Sequence, residues 1–256
     1  MHKVRYYNLF AAIFQVVIAF FSAMNGFGGP SLKANISSHL AFASPYIYSI
    51  WWPIFALSIA YAIYMLASKT EKSKKQRERA DELCRHTAIA FFLSSSWMVT
   101  AMYYQPDLVW PTLPIICGTY VFLFSAMRLA TKTPCRCLSA SYWCKVVPIC
   151  LYAGWVGLAV FINIGSIVDV YGLTFLDLST LQACSALILG AAILAGFALY
   201  YSRGEFSYAI ALIWGLIGIY IGNFSDMGSR LVSDTALGMA IVALILCFWF
   251  RRSKKA

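Results

Sequence analysis

The sequence predicts an all-α polytopic membrane protein with about eight transmembrane helices. Hydrophobic residues make up 61% of the 256 residues and charged residues only 12%, about half the share found in soluble domains. The mean hydropathy is +0.71. A soluble domain of this length needs far more polar surface around its core, and a disordered chain has low hydrophobicity, so both classes are excluded.

The apolar residues are grouped into eight stretches that have, or nearly have, the roughly 17–25 residues needed to cross a bilayer as a helix. They show no alternation of polar and apolar residues of the kind that marks a membrane β-barrel. Backbone groups in lipid must pair within their own segment, so each stretch is predicted to be a helix. In chain order the predicted helices are Asn8–Phe27, Tyr46–Ala67, Ala88–Tyr104, Pro111–Ala130, Val146–Val168, Thr180–Tyr200, Phe206–Phe224 and Leu231–Phe250.

Local features support the first, second, fourth and fifth helices. The first follows a basic start, and its long apolar run favours a retained helix over a cleaved signal peptide. The second, fourth and fifth carry Pro53, Pro114 and Pro148 near their starts, where the missing N–H of proline has no helical partner anyway. The third is the shortest of the eight.

Small residues mark the sixth and seventh helices. Ala192 with Gly196, and Gly218 with Gly222, are spaced four apart, which allows close helix packing within one chain or between two chains. A homo-oligomer through Gly218 and Gly222 is therefore one expected partner interaction. The eighth helix carries Asp234 near one end and is followed by a basic tail.

The basic residues set the predicted orientation. The chain has 20 Lys and Arg residues, and all except Lys33 and Arg230 fall on one side of the eight predicted helices. The positive-inside rule places that side, with both termini, in the cytoplasm, as expected for a plasma or inner membrane. The net charge of +10 therefore reflects the orientation of the chain in the membrane. The expected partner is the lipid bilayer, and no nucleic-acid partner is expected.

The predicted membrane interior lacks the chemistry of pumps and enzymes. No Asp, Glu, Lys or Arg lies at the centre of a predicted helix, which argues against a proton-coupled pump and a retinal protein. Cys135, Cys137, Cys144 and Cys150 cluster near the inner face without a histidine, so no metal or other cofactor is predicted, and palmitoylation is an alternative. No convergent acid, base and nucleophile is found, so an enzyme is not expected.

Three motifs carry a resemblance to a known family. Residues 48–55, Y-S-I-W-W-P-I-F, resemble the run F-S-I-W-x-x-I-Y, and Ser96-Trp97 matches the position of an N/S-x-x-W element. The most specific match is residues 152–163, Y-A-G-W-V-G-L-A-V-F-I-N, which resemble Y-x-x-W-V-x-x-A-x-x-x-N. The first 168 residues therefore resemble the tryptophan-rich sensory protein family, also called the translocator-protein or TspO/MBR type, and especially its longer members.

This resemblance implies a five-helix TspO-like core at residues 1–168. Three additional transmembrane helices with a basic cytoplasmic tail follow at residues 169–256. The resemblance also implies an aromatic pocket, because compact relatives bind porphyrins and sterol-like lipids. We expect this pocket between the second and fifth helices, where an uncharged aromatic cavity suits a planar apolar ligand. The residues expected to line it are Trp51, Trp52, Trp97, Tyr152, Trp155 and Asn163.

The expected function is binding of a planar or lipid-like apolar ligand, of the tetrapyrrole or lipid class, in a regulatory or transport-related role. Two alternatives remain. One is a transporter of a neutral small solute, with the additional helices forming part of the path. The other is a non-catalytic membrane scaffold subunit, in which the aromatic residues only pack the helices together.

Overall fold

The structure is a computed structural model that describes residues 3–24, 45–68, 73–102, 106–132, 139–173, 178–224 and 230–253. These residues form eight α-helices and no strand, which confirms the predicted all-α class. A short 3₁₀ helix precedes the second α-helix and a π-helical turn precedes the fifth. In chain order the elements are α1 (Lys3–Met24), the 3₁₀ helix (Pro45–Ile50), α2 (Trp51–Ala67), α3 (Lys74–Met102), α4 (Pro106–Thr131), the π turn (Tyr142–Val146), α5 (Val147–Val170), α6 (Thr180–Ser202), α7 (Phe206–Phe224) and α8 (Arg230–Ser253).

Seven of these eight helices are long and apolar enough to cross a membrane. The second spanning segment includes the 3₁₀ helix and runs Tyr46–Ala67, and the segment of α5 includes the π turn and runs Tyr142–Val168. An integral membrane protein is therefore the class that the structure supports. The predicted outside residue Lys33 and the inner cysteines Cys135 and Cys137 lie outside the described residues.

The helix α3 departs from the prediction at its N-terminus. Hydropathy predicts a start at Ala88, but the helix begins at Lys74 and runs for 29 residues. Residues 73–79 are exposed, and most of them are Lys, Arg, Gln and Glu, which are good helix formers in water. The helix thus continues beyond its apolar half, residues 87–102, which is about 24 Å long. This apolar half is shorter than an 18-residue membrane-spanning stretch, which is why α3 is not among the seven.

The helix α5 lies at the centre of the molecule. With its π turn, 72% of its most apolar stretch is buried inside the protein, against 56% or less in the other spanning helices. It packs against α2, α4, α6 and α7. Pro148 follows the π turn and has no N–H to donate, so the altered hydrogen-bond pattern falls where an α-helix would lose a bond anyway.

Two of the three C-terminal helices pack directly on α5, and the third packs on those two. The helix α7 lies along α5 and α8, while α6 lies against α5 and α8. Gly218 of α7 meets Ile47 of the 3₁₀ helix so closely that an added Cβ would overlap the isoleucine side chain. Close approach at this glycine therefore occurs within the chain. The division at residues 168 and 169, and a homo-oligomer through Gly218 and Gly222, stay predictions.

Candidate functional site

Three of the predicted residues form one aromatic cluster. The ring of Trp51, at the start of α2, meets the rings of Tyr152 and Trp155 of α5 edge-on, at centroid distances of 5.8 and 6.0 Å. Tyr152 and Trp155 are buried, whereas Trp51 is half-buried. Edge-to-face packing of this kind is favourable because the positive ring edge meets the negative ring face. We call Trp51, Tyr152 and Trp155 the aromatic cluster.

Further aromatic residues surround this cluster. Phe55, one turn after Trp51, stacks on it at 5.3 Å, and Phe91 of α3 stacks on Tyr152 at 6.0 Å. Tyr48 of the 3₁₀ helix meets Trp155 edge-on at 6.5 Å. The sequence motif includes Tyr48 and Phe55, but sequence reasoning does not place them at the site. The spacing of four residues between Trp51 and Phe55 is the signal that could have found Phe55.

The indole N–H of Trp155 is the notable polar group of the cluster. Trp155 is 2% exposed, and its Nε1 atom has no hydrogen-bond acceptor among the described residues. A buried donor without an acceptor costs free energy, about 1–3 kcal/mol. Gly215 of α7 lies against the indole, since an added Cβ there would be 3.3 Å from its Cζ3 atom. The helix α7 therefore forms one wall of the site.

The other predicted residues lie elsewhere. Trp52 is 61% exposed, and its ring packs edge-on against Phe20 of α1 at 5.6 Å, away from the cluster. Asn163 accepts a hydrogen bond from Thr112 Oγ1 at 3.0 Å, the interhelical bond typical of amides in membranes. It lies eight residues from Trp155, about 12 Å along α5. Trp97 is half-buried on α3 and packs against the hydrophobic core.

The space beside the cluster is closed. It is bounded by side chains of α2, α3, α4 and α5 and does not admit a water molecule. A ligand of porphyrin or sterol size therefore does not fit in this cavity as it stands. The side chains that bound this space are Ser58, Tyr61, Thr87, Phe91, Leu123, Pro148, Ile149 and Tyr152.

A row of buried polar side chains runs along α1 behind the cluster. The Tyr152 hydroxyl, which has a single proton to donate, lies within hydrogen-bond distance of Gln15 Oε1 at 3.2 Å and of Ser94 Oγ at 2.5 Å. Two turns nearer the N-terminus of α1, Asn8 Oδ1 accepts a hydrogen bond from Thr87 Oγ1 at 2.8 Å. We call Asn8 and Gln15, with their partners, the polar row. The Nδ2 atom of Asn8 and the Nε2 atom of Gln15 are buried and have no acceptor among the described residues.

Arg5 lies one turn before Asn8 on α1 and makes an ion pair with Asp81 of α3. Its Nε atom lies 2.9 Å from Asp81 Oδ1, and its Nη1 atom donates to the backbone oxygens of Met65 and Ser68 at the end of α2. Arg5 is 3% exposed. One guanidinium thus joins α1, α2 and α3. Hydropathy does not reveal it, because Arg5 precedes the predicted first helix.

No group of three or more His, Cys, Asp or Glu side chains among the described residues is arranged to hold a metal ion. The candidate site is therefore an uncharged aromatic cluster with polar hydroxyl and amide groups behind it. It offers stacking surfaces and a single buried indole donor, which suits binding of an apolar molecule with an acceptor atom.

Comparisons with known proteins place this architecture in a family. No curated protein and no solved structure matches the chain. The sequence pattern described as TSPO-like protein matches residues 5–249, which includes all of α2 to α7 and most of α1 and α8. The match thus extends beyond the first five helices into the three that follow. The chain belongs to the TSPO-like protein family.

Proposed function

We propose that this membrane protein binds a planar or lipid-like apolar ligand, of the porphyrin or sterol class, at the aromatic cluster, in a regulatory or transport-related role without catalysis. The observation that carries the proposal is the buried indole N–H of Trp155, which has no acceptor among the described residues. A carboxylate of a porphyrin or a hydroxyl of a sterol would accept this hydrogen bond. Membership of the TSPO-like protein family supports a binding role.

The geometry of the cluster suits a flat ligand. Trp51 stands nearly perpendicular to Tyr152 and Trp155, at 85° and 84°, so it contacts both rings edge-on and is not stacked on either. A flat molecule gains stacking energy from each face that it covers. No charged side chain takes part in the cluster's ring contacts or hydrogen bonds among the described residues, which favours an apolar ligand body.

Movement of the 3₁₀ helix would open a route for a ligand to the aromatic cluster. This helix brings Tyr48 onto Trp155, and it is held to α7 by a hydrogen bond of 3.1 Å from Trp214 Nε1 to the backbone oxygen of Ile47. Tyr46 adds an edge-on contact with Trp214 at 5.2 Å. Displacing this short element removes Tyr48 from Trp155 without unfolding α2. We therefore propose the 3₁₀ helix as the gate of the site.

The test compares two adjacent tryptophans of α2. Changing Trp51→Leu removes a ring from the cluster and is expected to weaken protoporphyrin IX binding roughly 2- to 10-fold, because one aromatic contact is lost. Affinity is measured in detergent from the absorbance of the porphyrin. Trp52→Leu is the matched control and is expected to leave affinity unchanged, since Trp52 faces away from the cluster.

Two further measurements make the test decisive. Trp155→Phe keeps a ring but removes the N–H, so its affinity for the porphyrin is expected to fall as well. Thermal unfolding of each variant shows whether the fold is intact. Equal porphyrin affinity for the wild type and Trp51→Leu, or no binding of either protoporphyrin IX or cholesterol by the wild type, would contradict the proposal.

We also propose that both termini lie in the cytoplasm, and that the membrane is the plasma or inner membrane. The one-sided distribution of Lys and Arg supports this orientation. In intact cells, a membrane-impermeant thiol reagent is expected to label Lys33→Cys and Arg230→Cys variants and to miss Lys132→Cys and the native cysteines. Labelling of Lys132→Cys without labelling of Arg230→Cys would show the opposite orientation and contradict the proposal.

A path for a neutral small solute is the second candidate function. The polar row favours it, because Asn8 and Gln15 lie on one face of α1, two turns apart, and both carry buried amide N–H groups without acceptors among the described residues. A solute with hydroxyl or carbonyl groups would pair with them. We rank this candidate second because the cavity lined by Thr87 and Tyr152, the partners of Asn8 and Gln15, does not admit a water molecule.

A further inference from the structure

A second group of aromatic residues lies away from the aromatic cluster, near the C-terminal ends of α4 and α6. Phe124 of α4 stacks on Phe197 of α6 at 5.9 Å and meets Tyr201 edge-on at 6.1 Å. Phe197 and Tyr201 pack on each other at 4.6 Å. Phe197 is 53% exposed, so this aromatic surface faces the surroundings of the protein.

A cation lies at one end of these rings. The guanidinium carbon of Arg128, one turn after Phe124, lies 4.8 Å from the ring centroid of Tyr201. This cation–π contact holds the guanidinium in place, which lowers the entropy lost when it binds an anion. Arg128 is nonetheless exposed, so its N–H groups remain accessible. We call Phe124, Arg128, Phe197 and Tyr201 the α4/α6 surface.

The charge at this end of the two helices is positive. Lys132 follows Arg128 by one turn, and Arg203 follows Tyr201 by two residues; both are exposed. The ion pairs found among the described residues are Arg5 with Asp81 and Lys74 with Glu78. Neither pair involves Arg128, Lys132 or Arg203. These three cations are thus available to an anion from outside the chain.

We propose that the α4/α6 surface binds an anionic phospholipid. The phosphate lies against Arg128 and Lys132, and an acyl chain lies along Phe124 and Phe197. A guanidinium matches a phosphate with two parallel hydrogen bonds, and basic residues at the ends of membrane helices attract anionic headgroups. The combination of an exposed aromatic strip with a cation at one end fits a molecule that is apolar over most of its length and anionic at one end.

The test measures lipid binding to the full-length protein in detergent. Phosphatidylglycerol is expected to raise the midpoint of thermal unfolding, and phosphatidylcholine, which has no net charge, is expected to raise it less. The affinity for phosphatidylglycerol is expected to fall roughly fivefold in Arg128→Gln, because one charge at the headgroup is lost. Arg128→Lys keeps the charge and is expected to lose less than Arg128→Gln.

The control is Arg252→Gln, which removes an exposed arginine from the end of α8. It is expected to leave the affinity for phosphatidylglycerol unchanged. Lys132→Gln supplies a second variant if Arg128→Gln does not fold, with the same expected direction. The proposal is overturned if Arg252→Gln weakens binding as much as Arg128→Gln, if phosphatidylcholine stabilises equally, or if glycerol phosphate without acyl chains binds as tightly as the lipid.

Discussion

Changing Arg5→Met is expected to lower the free energy of unfolding by about 3 kcal/mol, the lower end of the range for breaking a buried ion pair. The variant removes the partner of Asp81 and also the donor to the backbone oxygens of Met65 and Ser68. The lower end applies because the Asp81 side chain is 13% exposed and regains some contact with water. Thermal or denaturant unfolding in detergent measures the loss.

The control for this prediction is the exposed ion pair of α3. Lys74 and Glu78 are 3.9 Å apart, with side chains that are 83% and 57% exposed, so Lys74→Met is expected to change stability by at most about 1 kcal/mol. A double variant, Arg5→Met with Asp81→Leu, is expected to regain part of the loss because no unpaired charge remains. If Arg5→Met costs no more than Lys74→Met, the guanidinium does not hold α1, α2 and α3 together.

Hydropathy predicts the spanning helices well because the thickness of a bilayer fixes their length. The predicted helix Phe206–Phe224 is identical to α7, and the predicted Tyr46–Ala67 coincides with the second spanning segment. The predicted start of α3 is wrong because hydropathy measures only transfer into lipid. It does not detect the part of a helix that lies in water, such as the part of α3 that begins at Lys74.

The aromatic cluster is predictable from the sequence only in part, and two neighbouring residues show why. The motif places Trp51 and Trp52 at the start of α2, but successive residues of a helix point about 100° apart, and only Trp51 meets α5. Which of the two faces α5 depends on the rotation of α2, which composition does not specify. The bond between Asn8 and Thr87 joins positions 79 residues apart, and nothing in the sequence pairs them.

Changing Gly154→Ala is expected to lower the free energy of unfolding by about 1–3 kcal/mol through overpacking. Gly154 of α5 lies against the backbone of α7, where an added Cβ would overlap the carbonyl oxygen of Tyr208 and lie 3.1 Å from the Cβ of Ala211. Backbone cannot rotate away as a side chain can, so α7 must shift. At Gly157, one turn later, an added Cβ would lie 2.9 Å from the Tyr208 hydroxyl, so this hydroxyl is closely packed against α5. A shift of α7 therefore also disturbs the hydrogen bond between Tyr208 and Tyr120.

Gly238→Ala in α8 is the matched control, because an added Cβ there meets no atom within 4 Å. Alanine favours a helix over glycine by up to about 1 kcal/mol, so this variant is expected to be neutral or slightly more stable than the wild type. The two variants also test the packing of the aromatic cluster, since Gly215 of α7 lies against Trp155. Displacing α7 is therefore expected to change the tryptophan fluorescence of Gly154→Ala but not that of Gly238→Ala. Equal stability and equal spectra for the two variants would show that α5 and α7 are not in backbone contact.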